Sequence, residues 1–340
     1  MAKTPEIDLR QDYQRNYIIN GNFDFWQRGT GPISVSGAAN PTYAADRFFI
    51  AGNGASAVEM NRSTDIPTEA ESKFQSNYSL FVDVTTADAS PTSGDRRWMG
   101  YRVEGTDMQG LLGKNISVSF WVKATKAGIN SLAFRNQSTD RSYVAEYTIN
   151  SPNTWENKVI TIPFVNSGSW DVDNTLGLEI AWPLMPDAAL ETSTIGEWQS
   201  GNFLASSNQV NHMDSTANEF RIAQVQLIEG SEDLPFRRAG RNIGEEFSMC
   251  QRYFQKVVGR WYGVAPNTGR TRNNVTYATQ MRAIPTATKD AALSTNSTRY
   301  PAGNSEVANI DESSVMTRWI PNSTGGNDGW SLFLDLEAEL

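Results

Sequence analysis

The chain has one cysteine, Cys250, and one histidine, His212, in 340 residues. A single cysteine excludes an intrachain disulfide and a thiolate zinc cluster. Cys250 lies on an apolar stripe and reads as a small buried hydrophobe. A Ser-His-Asp triad would have to use His212. That residue stands in the polar stretch Asn208-Gln209-Val210-Asn211-His212-Met213-Asp214, which reads as an exposed loop, and no nucleophile elbow accompanies it. No apolar run approaches the ~20 residues of a membrane span. Met1 to Glu6 contain no apolar segment of a secretory signal. There is no internal repeat, no low-complexity tract and no glycine-rich phosphate loop; between Gly100 and Gly113 no glycine is followed by Lys-Ser/Thr. Positive charge is short as well: 29 Lys and Arg against 38 Asp and Glu leave a net charge of -9. Arg96-Arg97, Arg237-Arg238 with Arg241, and Arg270 with Arg272 are too short and dispersed to make a phosphate-binding groove, so nucleic acid is not expected as a partner.

Aromatic residues are abundant. Ten Trp, fifteen Phe and eleven Tyr give large buried areas to a chain that is only 39% hydrophobic. Together with 20% charge, this composition describes a folded protein and not a disordered one. From Asn16 onward the pattern is strand and turn. Leu80, Val82 and Val84 alternate, as do Ile116, Val118, Phe120 and Val122; Phe220, Ile222 and Val225 do so with one break. Strict alternation places one face on a core and one in water, as in antiparallel sheets. Asn53-Gly54, Ser93-Gly94-Asp95, Lys126-Ala127-Gly128 and Ser167-Gly168-Ser169 supply the turns. One helical stripe interrupts this pattern: Phe247, Cys250, Phe254 and Val257 fall at offsets 0, 3, 7 and 10. At about three turns it is too short for an independent coiled coil and must dock, on its own chain or on a copy.

These patterns predict an all-β protein: a β-sandwich, a short α-helix and a small C-terminal β domain. The expected division is an N-terminal arm at 1–15, a sandwich domain at 16–240, a connecting helix at 241–258 and the C-terminal β domain at 259–340. Two resemblances sharpen this. Asn16-Tyr17-Ile18-Ile19-Asn20-Gly21-Asn22-Phe23-Asp24-Phe25-Trp26, Ser119-Phe120-Trp121-Val122-Lys123-Ala124, Trp155-Glu156-Asn157-Lys158-Val159 and Phe220 to Leu227 resemble successive strands of jelly-roll carbohydrate-binding modules. Asn20 to Gly29, Ala45-Asp46-Arg47-Phe48, Val225 to Gly230 with Pro235-Phe236, Cys250-Gln251-Arg252-Tyr253-Phe254 and the ending Leu336 to Leu340 resemble, in order, a bacteriophage tail-fibre or receptor-binding family.

The second resemblance implies a virion appendage, assembled in the host cytoplasm. Its partners would be itself, as a homotrimer, other phage tail or capsid proteins through the arm at 1–15, and a host cell-surface glycan. It implies no catalysis, no cofactor and no membrane insertion. A head fibre or capsid decoration protein with a purely structural role, and a glycan depolymerase, stand as alternatives. Two carboxylates would suffice for the depolymerase; Asp46, Asp83, Glu104, Glu146 and Glu179 are available, and nothing singles out a pair. Asp171-Val172-Asp173-Asn174 lacks the spacing of a calcium loop and reads as a turn, and no metal ligand set is assigned. Sugar recognition uses flat aromatic platforms with a few polar partners. Trp98, Tyr101, Trp170, Trp182 and Trp198 lie in or beside polar segments and are the candidate platforms, whereas Trp26, Trp121 and Trp155 sit in strand patterns and are expected in the core. Phe247, Cys250, Phe254 and Val257 are the candidate docking residues.

Overall fold

A computed structural model describes residues 14–37, 40–165, 167–185, 187–264, 271–290, 305–321 and 327–340. Most of the arm expected at 1–15 lies outside the described residues. The chain forms two compact units, Met1–Glu246 with Leu340, and Phe247–Glu339.

The first unit is a two-sheet sandwich. Its strands are β1 (Ile33–Ser36), β2 (Thr42–Tyr43), β3 (Phe48–Asn53), β4 (Ala57–Ser63), β5 (Ser79–Thr86), β6 (Arg96–Glu104), β7 (Lys114–Ala124) and β8 (Gly128–Arg135). They continue as β9 (Arg141–Ile149), β10 (Glu156–Phe164), β11 (Leu176–Met185), β12 (Glu191–Thr192), β13 (Trp198–Ser200), β14 (Ala205–Ser206) and β15 (Glu219–Glu229). One sheet has the order β1-β4-β5-β15-β7-β10 and the other β13-β9-β8-β11-β6-β3-β2. Every pairing within these two sheets is antiparallel. This is the antiparallel β-sandwich expected from the alternation, and of the jelly-roll class that the first resemblance implied. Leu80, Val82, Val84, Ile116, Val118, Phe120, Val122, Phe220 and Ile222 all point into the shared core.

The break in alternation on β15 is a β-bulge. Its register against β7 shifts between Ala223 and Gln226, and Gln224 takes a left-handed φ of 50°. Only Glu219 to Ile222 of β15 pair with β5. Beyond Ile222 the segment 16–21 takes over: Val225 N–H donates to Gly21 O at 2.8 Å, Tyr17 N–H to Leu227 O at 2.9 Å, and Leu227 N–H to Asn16 Oδ1 at 3.0 Å. Asn20, also left-handed at φ 61°, donates its amide to Phe25 O and Asp46 O and accepts from Phe25 N–H. Asp46 in turn accepts from the backbone and side chain of Gln27. Asn20 N–H and Gly240 N–H both donate to the Glu246 carboxyl. Burial pushes the Glu246 carboxyl up, against the pull of those two N–H groups. The residues that carried the phage-family resemblance therefore knit the N-terminal segment to β15 and to the loop before β3.

The helix expected over 241–258 is α3, Ile243–Gln251; two shorter helices, α1 (Glu69–Ser72) and α2 (Gly105–Met108), precede it in the chain. Phe254 and Val257 are not helical. They lie on β16 (Phe254–Val264), because pairing of Phe254 with Glu337 and of Val257 with Leu334 overrides the helical period. Cys250 and Phe254 are buried at 1% and 2%, and Phe247 and Val257 are half-buried, so the four residues do not form one open stripe. The second unit contains β16, β17 (Thr271–Thr276), β18 (Thr286–Lys289), β19 (Ser305–Ala308), β20 (Ser314–Trp319) and β21 (Asn327–Glu337). They form two three-stranded sheets, β16-β21-β18 and β17-β20-β19, around Val315, Trp319, Trp330, Leu332, Leu334 and Leu336.

Gly21 allows the close approach on which the bulge depends. A Cβ there would sit 2.0 Å from Val225 O. Gly21→Ala is therefore expected to cost about 2–3 kcal/mol of stability, read as a lower denaturant midpoint at unchanged slope.

Candidate functional site

The outer face of the six-stranded sheet holds a groove over its central strands. Alternation that sends Phe120 and Val122 inward turns Ser119, Trp121 and Lys123 outward. Trp121 pairs with Ala223 of β15 on one side and Asn157 of β10 on the other. Small neighbours at Ala223 and Ser119 leave its ring half-exposed at the base of a groove of about 190 Å³. Around it stand Glu71, Ser72 and Lys73 at the end of α1, and Asp233, Leu234, Pro235 and Phe236 after β15. That volume falls below the ~300–1,000 Å³ of pockets for drug-sized ligands, so it suits one ring of a longer ligand.

Two glutamines on β15 set the walls. The bulge carries Gln224, which is 2% exposed, toward α1, where its amide donates to Ser72 Oγ at 3.0 Å, Phe74 O at 3.2 Å and Ser76 Oγ at 2.8 Å. Its Oε1 is buried without a partner. Gln226 donates to Leu234 O and accepts from Arg237 N–H, holding the opposite wall. Phe236 packs edge-on against Phe74 at 4.8 Å and Arg238 lies over Phe74, joining the walls behind the groove. A capping box on Thr68 fixes α1, and the hydrogen bonds from Thr68 hold the Glu71 carboxyl below its usual range, so it is ionised at neutral pH. Among the described residues the Trp121 indole N–H and the Asn157 amide have no hydrogen-bond partner. The groove thus offers an apolar ring face, a free donor and a polar rim.

The sequence-derived platforms fare differently. Tyr101 and Trp182 are interior, at 1% and 0% exposed. The Tyr101 hydroxyl accepts from Ile19 N–H at 2.8 Å, and Trp182 packs edge-on to Phe120 at 5.6 Å. Trp98, 7% exposed, lies on the outer face of the second sheet beneath Leu204, with the Arg135 guanidinium 5.5 Å from its ring centre. These three side chains are therefore structural and, contrary to expectation, present no open ring face. Trp170 and Trp198 do come together, edge-to-face at 5.4 Å over Phe164, and remain half-buried. Their N–H groups are spent on Ser167 O and Pro163 O. Trp155, expected in the core, is half-buried, and its N–H donates to Asp65, which also pairs with Lys123. Trp121, also expected in the core, forms the base of the groove. The Ile116–Val122 alternation already assigned it to the outer face, and the break in alternation at Gln224 marked the bulge.

Several candidate acids are committed elsewhere. Glu179 is buried between Arg135 and Arg102; burial opposes its ionisation, but the two guanidinium groups outweigh it and hold the carboxyl below its usual range. Asp46 is held by Gln27, and Glu146 accepts from Asn208. Asp173 closes a turn with Thr175, as expected. Among the described residues no group of three metal-ligating side chains occurs, and no described helix is long and apolar enough to cross a membrane.

No family model and no curated protein matches this sequence. Distant likenesses to solved structures exist. One is to a family 11 carbohydrate-binding module of the cellulosomal cellulase Lic26A-Cel5E of Clostridium thermocellum, at 14% identity and TM-score 0.31, over 58% of this chain and 98% of the module. A second is to TmCBM61 in complex with β-1,4-galactotriose, at 12% and 0.30, over 64% and 99%. A third is to the enzymatically active domain of bacteriophage CBA120 tailspike protein 4, at 13% and 0.31, over 63% of this chain and 21% of that one.

His212 is not an exposed loop residue. It is 1% exposed, its Nε2 lies 2.6 Å from Asn130 Oδ1, and its ring packs edge-on to Phe220 at 5.3 Å. Burial, aided by Lys126 and opposed by Asp214, lowers its pKa to about 4. The unfolded chain, near ~6.5, then binds the proton more readily. His212 therefore contributes stability that is full above about pH 6.5 and is lost as pH falls toward 4, on the order of 3 kcal/mol. The raised Glu246 carboxyl acts in the opposite sense, so the check is a comparison: His212→Gln should flatten the stability profile between pH 6.5 and 4.5 relative to wild type.

Proposed function

We propose that this protein is a bacteriophage virion appendage, a tail fibre or receptor-binding protein, that binds host surface glycan without catalysis through the groove at Trp121. The observation that carries the reading is the half-exposed Trp121 ring at the base of a groove rimmed by Glu71, Lys73, Asn157 and Asp233. Pyranose rings present C–H faces that stack on indole and hydroxyl rims that need donors and acceptors, and the groove supplies both at ring scale. The virion assignment is supported by the ordered motifs from Asn20 to Leu340, with the arm at 1–15 as the attachment to other phage proteins.

A homotrimer would multiply a weak single site into useful avidity. Large apolar side chains left exposed in the second unit, Tyr262 at 77% and Ile284 at 59%, support self-association. Sedimentation of the intact chain should give three copies per particle; a monomer at micromolar concentration would remove the assembly part of the proposal.

Trp121→Ala removes the platform without touching the core. Binding to host envelope glycans on an array should fall at least about ten-fold, or about 1.4 kcal/mol, while the melting temperature stays within a few degrees. Unchanged binding by this variant would show that the groove is not the site.

A further inference from the structure

We infer that the site continues from Trp121 to a second aromatic platform at Trp155, with Asp65 as its hydrogen-bonding anchor, so that it takes a segment of glycan chain and not a single ring. This rests on the glycan reading above and extends its site.

The sheet register places both indoles on one open face. Trp121 pairs with Asn157 and Val122 with Glu156, so Trp155 precedes the paired stretch by one residue and stands diagonal to Trp121. Diagonal neighbours on adjacent strands are about 7–8 Å apart, a spacing that suits consecutive sugars better than one pyranose shared by both rings. The facing of Trp155 is fixed by its hydrogen bond. Its N–H donates to Asp65 Oδ1 at 2.9 Å, and Lys123, an outward residue of β7, donates to Asp65 Oδ2 at 2.7 Å. Arg221, which pairs with Lys123 across the sheet, lies 3.7 Å from the same oxygen. Trp155 therefore shares the outer face with Trp121.

Both rings stand outside the packing of the unit. Each is half-buried, yet neither belongs to an apolar core or packs against one, in contrast to Trp170 and Trp198. Two such indoles side by side leave an apolar patch that sugar C–H faces would cover. Asp65 supplies the polar partner, with 36% of its side chain exposed. Burial opposes its ionisation, but the hydrogen bonds from Lys123 and Trp155 and the charges of Lys123 and Arg221 outweigh it and hold the carboxyl below its usual range. A carboxylate has about four acceptor positions. Trp155 and Lys123 fill two, and the exposed remainder can take ring hydroxyls. β10 is the edge strand of its sheet, and Pro152, Asn153 and Thr154 ahead of Trp155 are exposed, so the face is open where a chain would run on.

The test is a titration of the full chain with mono- to hexasaccharide series of glucose, galactose, mannose, rhamnose and N-acetylglucosamine, comparing wild type, Trp155→Ala and Asp65→Asn. On wild type, affinity for the series that binds should rise about ten-fold from the monosaccharide to the longer members, the size of one ring-stacking contact. Trp155→Ala should abolish that rise and leave monosaccharide binding intact, because Trp121 is unchanged. Asp65→Asn should reduce the rise. A check that needs no variant is the indole N–H resonance of Trp155, which should shift with the oligosaccharide and stay in place with the monosaccharide. Equal affinity at all lengths, or a length dependence that persists in Trp155→Ala, would overturn the inference and leave Trp121 as a single-ring site. No binding to any series would instead overturn the glycan reading itself.

Discussion

The contact between Gly21 and Val225 is the constraint on which the sandwich and its groove both depend. β15 loses its partner β5 after Ile222, and its bulge takes Val225 N–H out of register with β7. A buried N–H without an acceptor would be costly. Gly21 O supplies the acceptor at 2.8 Å, and only a residue without Cβ fits so close to Val225 O. With the bulge held there, Gln224 swings toward α1, the face beside Ala223 stays open, and Trp121 is uncovered. Asn16, Asn20 and Glu246 keep Gly21 in place by accepting or donating along the same segment.

Polar groups inside this unit stabilise it by mutual satisfaction. Glu179 stands between two arginines, Asp46 accepts from the backbone and side chain of Gln27, and His212 meets Asn130 through Nε2 alone and packs against Phe220. Each arrangement is sensitive to removal of one member, because the remaining partner stays buried. The acid sensitivity expected of His212 arises from the same principle: a neutral imidazole is accepted in the core and an imidazolium is not.

Much of the architecture was legible because strand alternation is a local property. Leu80, Val82 and Val84, and Ile116 through Val122, reported their own facing, and the break after Ile222 reported the bulge. The same rule places Trp121 on the outer face, against the core position expected from its strand pattern. Trp182 illustrates the converse: polar residues nearby in sequence say little about what covers a strand in space, and its face is the interior. His212 differs for the same reason: its loop is polar in sequence while its ring packs edge-on against Phe220 in the interior. The helix is shorter than its pattern suggests because Phe254 and Val257 satisfy a helical spacing, while the partner that draws them into a strand, β21, lies about eighty residues away and leaves no mark on the local pattern.

Gln224 and Gln226 brace opposite walls from a single strand, so the width of the groove follows the pitch of β15 and not the composition of the loops. Lys73, Asn157 and Asp233 line it as exposed side chains outside the packed core. On the glycan reading proposed above, exchange at these three positions would alter ligand preference while the scaffold stays unchanged. The groove is in that sense a cassette: its rim tolerates substitution on physical grounds, whereas its hinge at Gly21 does not.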